Sequence, residues 1–218
     1  MAHRPLTRTR DATVAVLAAV LAIAAGVALL LLGTGGSKQP RHPRPAIQHR
    51  PDRTITPGLT RFSDPTAGFS ISYPSNWARL TTSSPQVPLL VSSPGGTEAL
   101  LVRVTHLGLA VQHVTVKELP VLLPLTNRLV NADPRTHLLQ RPMEVDLGGL
   151  PGYAYVYTEA VAHGGEPLAH VQYFLFSGPT MIALVFQITD AKRLTVDGAA
   201  LARVADTFTT CAVSACPR

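Results

Sequence analysis

The first strong hydrophobic pattern along the chain is an uncharged apolar run. Residues 13–32 read TVAVLAAVLAIAAGVALLLL. A helix of this length crosses a hydrocarbon core of about 30 Å. We therefore predict a short cytoplasmic N-terminus at 1–12 and a transmembrane helix at 13–32. A cleaved signal peptide stays open, because Ala22-Ile23-Ala24 resembles an A-x-A cleavage site. A lipoprotein anchor fits less well, because no cysteine directly follows the run.

The segment after this run is polar, basic and rich in proline. Residues 33–59 hold five prolines and few apolar residues, a composition typical of extended or disordered linkers. Three arginines precede the apolar run, namely Arg4, Arg8 and Arg10. Basic residues also follow the run, but long downstream domains cross a membrane largely regardless of charge. The expected topology is an N-terminus inside, a flexible linker at 33–59 and an exported domain at 60–218.

Alternating apolar positions between His137 and Thr189 predict an antiparallel meander. Val, Ile, Tyr and Phe dominate four runs at about 137–146, 150–162, 166–177 and 180–189. Turn signals separate the runs at Gly148-Gly149, Gly164-Gly165 and Gly178-Pro179. Such spacing indicates four successive strands.

Two-residue turns would set the register of this meander. A turn at Gly164-Gly165 pairs His163 with Glu166 and Glu159 with His170. A turn at Gly178-Pro179 pairs Leu175 with Ile182 and Tyr173 with Leu184. One face is then fully apolar, and the other mixes aromatic and polar side chains. A sheet that is apolar on both faces needs a covering layer on each.

Two helical patterns can supply those layers. Asp197 is a candidate N-cap for a helix carrying Leu201, Val204, Ala205 and Phe208 at i, i+3, i+4 and i+7 spacing. A second helix at Thr115 to Val130 contains two prolines, so it should be short or kinked. Further strands are expected near Phe69–Tyr73, Leu89–Ser92 and Ala99–His106. The predicted fold class is α+β, an antiparallel sheet sandwiched by helices (α/β/α), preceded by the transmembrane helix.

The distribution of charge argues against a nucleic-acid partner. The net charge is +6, and residues 1–59 alone carry eight basic and two acidic residues. Residues 60–218 carry eleven of each sign, whereas a nucleic-acid-binding module should carry its basic patch on the folded domain. Only three of the nineteen basic residues are lysine, a bias associated with GC-rich bacterial genes.

The two cysteines, Cys211 and Cys216, lie together near the C-terminus. In an exported domain, this spacing predicts a local disulfide. The alternative is a two-ligand metal site, which fits poorly because zinc sites usually take three or four protein ligands.

One motif of the predicted domain resembles the opening of PsbP-like domains. Gly68-Phe69-Ser70-Ile71-Ser72-Tyr73-Pro74-Ser75-Asn76-Trp77 is similar to the strand and Tyr-Pro-x-x-Trp turn of that group, which includes LpqN-type envelope lipoproteins. We expect the similarity to cover about residues 60–210. It implies an α/β/α sandwich and an accessory, protein-binding role, but it transfers no functional residue. The lipidated cysteine of the lipoproteins has no counterpart here.

Familiar catalytic motifs do not occur in the predicted domain. It contains no GxSxG, HExxH, phosphate-binding P-loop or GxGxxG pattern, and we predict no catalytic, cofactor or metal residues. Glu159, His163, Glu166 and His170 would form two pairs on one face, roughly 13 Å apart along the strands. Cross-strand charge pairing explains them more simply than two half-sites for a metal.

The mixed face of the meander is the candidate binding surface. It carries Tyr153, Tyr155, Tyr157, Glu159, His170 and Phe174, which could line a ligand groove or form a second core layer. The expected function is a non-catalytic, membrane-anchored extracytoplasmic domain of the bacterial cell envelope with a protein partner. The alternatives are a lipid or small-molecule binder using this face, and an envelope hydrolase.

Overall fold

The computed structural model describes residues 58–108, 113–161 and 165–211. The predicted N-terminus, the transmembrane run at 13–32 and nearly all of the linker lie outside these residues, as do His163 and Cys216. Within the described ranges, no helix is long and apolar enough to span a membrane.

Eleven strands and two α-helices make up the described part of the chain. The strands are β1 Leu59–Asp64, β2 Phe69–Pro74, β3 Ala78–Arg79, β4 Leu89–Ser92, β5 Glu98–His106, β6 Thr136–Leu138, β7 Met143–Leu147, β8 Leu150–Glu159, β9 Leu168–Ser177, β10 Thr180–Ile188 and β11 Thr209–Thr210. The helices are α1 Leu119–Val130 and α2 Leu194–Ala205, with a 3-10 turn at Ala191–Arg193.

The strands form one large and one small antiparallel sheet. The large sheet has the order β3-β4-β5-β10-β9-β8-β6, and β7 also pairs with β8. The small sheet has the order β1-β2-β11. The predicted meander is present, but its first run is two strands, β6 and β7, along the same edge of β8. Pro142 lies in the break between them, where a residue without an N–H cannot continue a ladder.

The structure confirms one predicted register and corrects the other. Leu175 lies opposite Ile182, as expected from the short turn at Gly178, whose φ is +55°. Across β8 and β9, however, Glu159 lies opposite Leu168 and His170 lies opposite Tyr157. The connection of residues 160–167 is longer than a two-residue hairpin, so pairing is shifted by two residues. A shift of two keeps every side chain on its predicted face.

The first face of the large sheet is covered by α2 and the small sheet. Phe69 and Ile71 of β2, Leu201 of α2 and Phe208 are buried against this face. The sandwich prediction therefore needs a correction, because a three-stranded sheet forms part of this layer beside the helix. The expected turn after β2 is present, with the Trp77 N–H donating to the Pro74 carbonyl at 2.9 Å.

Asp197 is not the N-cap that the sequence suggested. Helix α2 begins four residues earlier than that N-cap implies, at Leu194, with Arg193 at the N-cap position. The Asp197 carboxylate instead forms an i,i+4 ion pair with Arg193 at 2.9 Å. It still lies in the first turn, where a negative charge favours the helix dipole.

The second face of the large sheet is covered in part by α1. This helix starts at Leu119, with Pro120 in its first turn, and continues through Pro124 to Val130. It begins later than predicted, but Pro124 does not end it. Tyr155 is fully buried beneath it. The Tyr155 hydroxyl donates to Asn127 Oδ1 at 2.8 Å and lies 2.6 Å from Thr126 Oγ1, which attaches α1 to β8.

Gly152 and Gly198 allow a test of backbone packing. A Cβ on Gly152 would lie 2.1 Å from the Phe174 carbonyl oxygen, whereas one on Gly198 would meet only Leu194 Cδ1 at 3.9 Å. We expect Gly152→Ala to destabilise the domain by about 1–3 kcal/mol or more, and Gly198→Ala to stabilise it by about 0.5–1 kcal/mol. Urea unfolding of both variants checks this. A Gly152→Ala midpoint equal to the wild type would contradict the close strand approach.

Candidate functional site: an amphipathic cavity on the second sheet face

Helix α1 leaves part of the second sheet face open, and a cavity of about 300 Å³ lies there. Its floor is formed by β5, β10, β9 and β8, and one wall is formed by the end of α1 and the residues that follow it. Its apolar lining includes Leu101, Leu129, Val130, Phe174, Ala183 and Val185. Its polar lining includes Arg103, Thr105, Glu159, His170, Gln172 and Gln187.

The predicted aromatic face divides between this cavity and the core. Tyr157, Glu159, His170 and Phe174 line the cavity. Tyr153 and Tyr155 pack in a buried cluster with residues of α1, and Tyr157 and Phe174 belong to the same cluster. Tyr157 and Phe174 therefore contribute to both the core layer and the cavity lining, and the ligand-binding prediction is kept for the four residues that line the cavity.

His170 is the most unusual group in the cavity. The residue is only 6% exposed, and Tyr157 stacks on its ring with ring centroids 4.8 Å apart. Burial lowers the pKa of His170 to about 4, so the ring is neutral near pH 7. Neither ring nitrogen has a hydrogen-bond partner among the described residues. A buried imidazole in this state has one donor and one acceptor unsatisfied.

Glu159 lies beside His170 but is held by a different partner from the one predicted. Its Oε2 is 3.7 Å from His170 Nε2, while its Oε1 accepts a hydrogen bond from Arg135 Nη2 at 3.0 Å. Burial raises the pKa of the Glu159 carboxyl, and the Arg135 charge opposes that shift. Arg135 also pairs with Asp133 at 2.6 Å, and its hydrogen bonds lower the pKa of Asp133.

The two predicted charge pairs across the hairpin are therefore corrected. Glu159 and His170 are diagonal neighbours rather than opposite residues. Glu166 pairs with Lys192 at 2.6 Å, and its predicted partner His163 lies outside the described residues. No group of three or more potential metal ligands occurs within the described ranges.

Polar residues on β5 also reach the cavity, and sequence reasoning did not single them out. Thr105 Oγ1 is buried without a hydrogen-bond partner in the described part of the chain. Arg103 is 6% exposed and donates through Nη2 to Gln86 Oε1. The sequence pattern of β5, EALLVRVTH, could have indicated them, because Arg103 and Thr105 occupy alternate positions after an apolar run.

Comparison with known proteins bears on the fold. No protein-family model matches the chain, and no curated protein matches it. The chain is similar to the solution structure of cyanobacterial PsbP (CyanoP) from Synechocystis sp. PCC 6803, with a TM-score of 0.55, 18% identity, and coverage of 75% of this chain and 98% of that chain. The chain has a PsbP-like fold. This result confirms the PsbP-like α+β fold that the opening motif implied, while the three-stranded sheet takes the place of part of one helical layer of the expected α/β/α sandwich.

Two further solved structures are similar at lower scores. LpqN, involved in cell envelope biogenesis of Mycobacterium tuberculosis, has a TM-score of 0.49 and 14% identity, with 73% of this chain and 98% of that chain covered. The Ran-binding protein Mog1p of Saccharomyces cerevisiae has a TM-score of 0.47 and 10% identity, with 72% and 97% covered.

Proposed function

We propose that this PsbP-like domain is a non-catalytic accessory module of the cell envelope that binds a small amphipathic molecule in the cavity. The observation that carries the proposal is His170, a neutral imidazole with two unpartnered nitrogens in a largely apolar cavity. An unpaired buried polar group costs roughly 1–3 kcal/mol. A ligand that hydrogen-bonds to His170 removes that cost, and this contributes favourably to the free energy of ligand binding.

The shape and lining of the cavity fit the same proposal. Ligand sites of small molecules are mostly apolar clefts of about 300–1,000 Å³ with a few placed polar groups. Here the apolar residues of α1, β5 and β10 surround the body of a ligand, while His170, Glu159 and Gln187 lie at one end. A cavity of about 300 Å³ limits the ligand to a small molecule or to part of a larger one.

The location of the domain stays a prediction from the sequence. A membrane anchor at 13–32, a linker at 33–59 and an exported domain at 60–218 explain the apolar run and the basic flanks. A Cys211–Cys216 disulfide would suit that compartment. The protein-partner role stays an expectation from the resemblance to PsbP-like domains, and it is compatible with a small ligand bound in the cavity.

Filling the cavity tests the proposed function. Ala183 lies on the cavity floor and is 4% exposed, so Ala183→Leu should occupy the space a ligand needs. We expect the amount of small molecule that co-purifies with the full chain to fall at least about tenfold in this variant, which corresponds to an affinity loss of about 1.4 kcal/mol. Solvent extraction followed by mass spectrometry measures them.

The matched control places the same substitution far from the cavity. Ala200 is exposed on α2, which packs on the opposite face of the large sheet. Ala200→Leu should leave the co-purified molecules unchanged. Equal amounts of bound small molecule in both variants and in the wild type would contradict binding in this cavity.

A further inference from the structure

The polar end of the cavity is rich in hydrogen-bond acceptors and carries an excess of negative charge. Asp133 and Glu159 supply two carboxylates, and Arg135 bonds to both. One guanidinium against two carboxylates leaves one formal negative charge at this end. The Gln187 side chain lies directly opposite His170 on β10 and adds an amide oxygen that can accept.

The orientation of His170 adds a further acceptor. Nε2 is the ring nitrogen that faces Glu159 Oε2, at 3.7 Å. A carboxylate at that distance favours the ring proton on Nε2, which leaves the lone pair on Nδ1. Because Nδ1 is buried and unpartnered, it is an unsatisfied acceptor. The ligand group that meets it must donate a hydrogen bond.

We propose that this end of the cavity takes a primary ammonium group, and that the ligand is an amphipathic amine whose hydrocarbon body lies along the apolar lining. The inference rests on the proposed ligand-binding function. An ammonium group has three N–H donors and a positive charge. Those donors match His170 Nδ1, the Glu159 carboxylate and the Gln187 amide oxygen. A carboxylate or phosphate group would instead be repelled by the net negative charge.

The arginine that lines the cavity lies at its other end. Arg103 on β5 is opposite Ala183 on β10, and Ala183 is opposite Phe174 on β9. Arg103 is therefore two inter-strand spacings across the sheet and four residues along β9 from His170. These two positions are roughly 16 Å apart at standard strand spacing. The Arg103 guanidinium also bonds to Gln86. Its charge therefore opposes an ammonium group beside His170 only weakly.

Three probes of equal chain length test this inference. Octylamine, octanol and octanoate are titrated into the full chain by calorimetry, and binding that remains in Ala183→Leu is subtracted as background. Hydrogen bonds to charged groups discriminate by about 10-fold to 100-fold. We expect octylamine to bind at least about tenfold more tightly than octanoate. Tighter binding of octanoate would overturn the amine assignment and leave cavity binding intact.

Charge-removing variants identify the acceptors. Glu159→Gln should weaken the binding of octylamine about 10-fold or more and should change the affinity for octanol less than about threefold. Glu144→Gln, at an exposed position of β7, is the matched control and should change neither probe. Asp133→Asn removes the second carboxylate and should also weaken octylamine, which keeps the test decisive if Glu159→Gln fails to fold.

The outcomes also separate this inference from the proposed function. If Glu159→Gln and Asp133→Asn both leave octylamine unchanged, the ammonium site is wrong. If none of the three probes binds the wild type more tightly than Ala183→Leu, cavity binding itself is wrong.

Discussion

Replacing Phe69 with alanine should destabilise the domain by about 3–5 kcal/mol, the range for removing a large aromatic side chain from a packed core. Phe69 is fully buried. Its ring stacks on Phe208 with centroids 5.7 Å apart and contacts Phe62 at 6.0 Å. The substitution therefore opens a cavity where β2, α2 and the large sheet meet. A shift of the urea midpoint to lower concentration measures the loss.

Phe62 provides the control for this prediction. It contacts the Phe69 ring, but it is only partly buried on β1 at the edge of the small sheet. Phe62→Ala should cost clearly less, because solvent already reaches part of its side chain. Equal losses in the two variants would contradict the deeper burial of Phe69.

Acidification should destabilise the domain through His170. Burial holds its folded pKa at about 4, below the ordinary value of 6.5. Between these values the unfolded chain binds a proton that the folded chain does not, so stability falls as the pH falls. The expected loss between pH 6.5 and 4 is about 3 kcal/mol. Chemical unfolding at a series of pH values measures this loss.

The neighbours of His170 set the control for the pH experiment. Glu159 faces the ring from β8 and is bonded to Arg135, which also holds Asp133, and Tyr157 stacks on the ring. The raised pKa of Glu159 acts in the opposite sense, because protonating it favours the folded state. These groups remain in His170→Gln, so its difference from the wild type isolates the imidazole.

The two proteins should differ in how steeply their free energy of unfolding changes with pH. The wild type should lose stability more steeply than His170→Gln between pH 6.5 and 4. His137→Gln, at an exposed position on β6, should follow the wild type. Parallel curves for the wild type and His170→Gln would contradict the buried, neutral state of this residue.

The strand registers of the meander show which residue pairings could be predicted from the sequence. The turn between β9 and β10 has two residues, so the Leu175–Ile182 pairing followed from turn geometry. The connection between β8 and β9 has eight residues, and such a length does not specify a register. That is why Glu159 was expected opposite His170 but lies opposite Leu168.

The small sheet shows what sequence patterns missed. Thr209 of β11 pairs with Ser70 of β2, and their hydroxyl oxygens are 2.8 Å apart. These residues are 139 positions apart in the chain, and β11 has only two residues. A strand of two residues is too short to show the alternation of apolar and polar residues by which strands are predicted. The sequence predicted β2 and its turn, but not its partners on both sides.

The sequence by itself determined which side chains share a face, because alternation along a strand is a local property and survives a register shift of two. It placed Tyr155, Tyr157 and Phe174 together and separated them from the fully apolar face. Only the tertiary structure decided that Tyr155 lies beneath α1 while Tyr157 and His170 line a cavity. That division depends on how far α1 extends over the sheet, which long-range packing sets and strand periodicity does not encode.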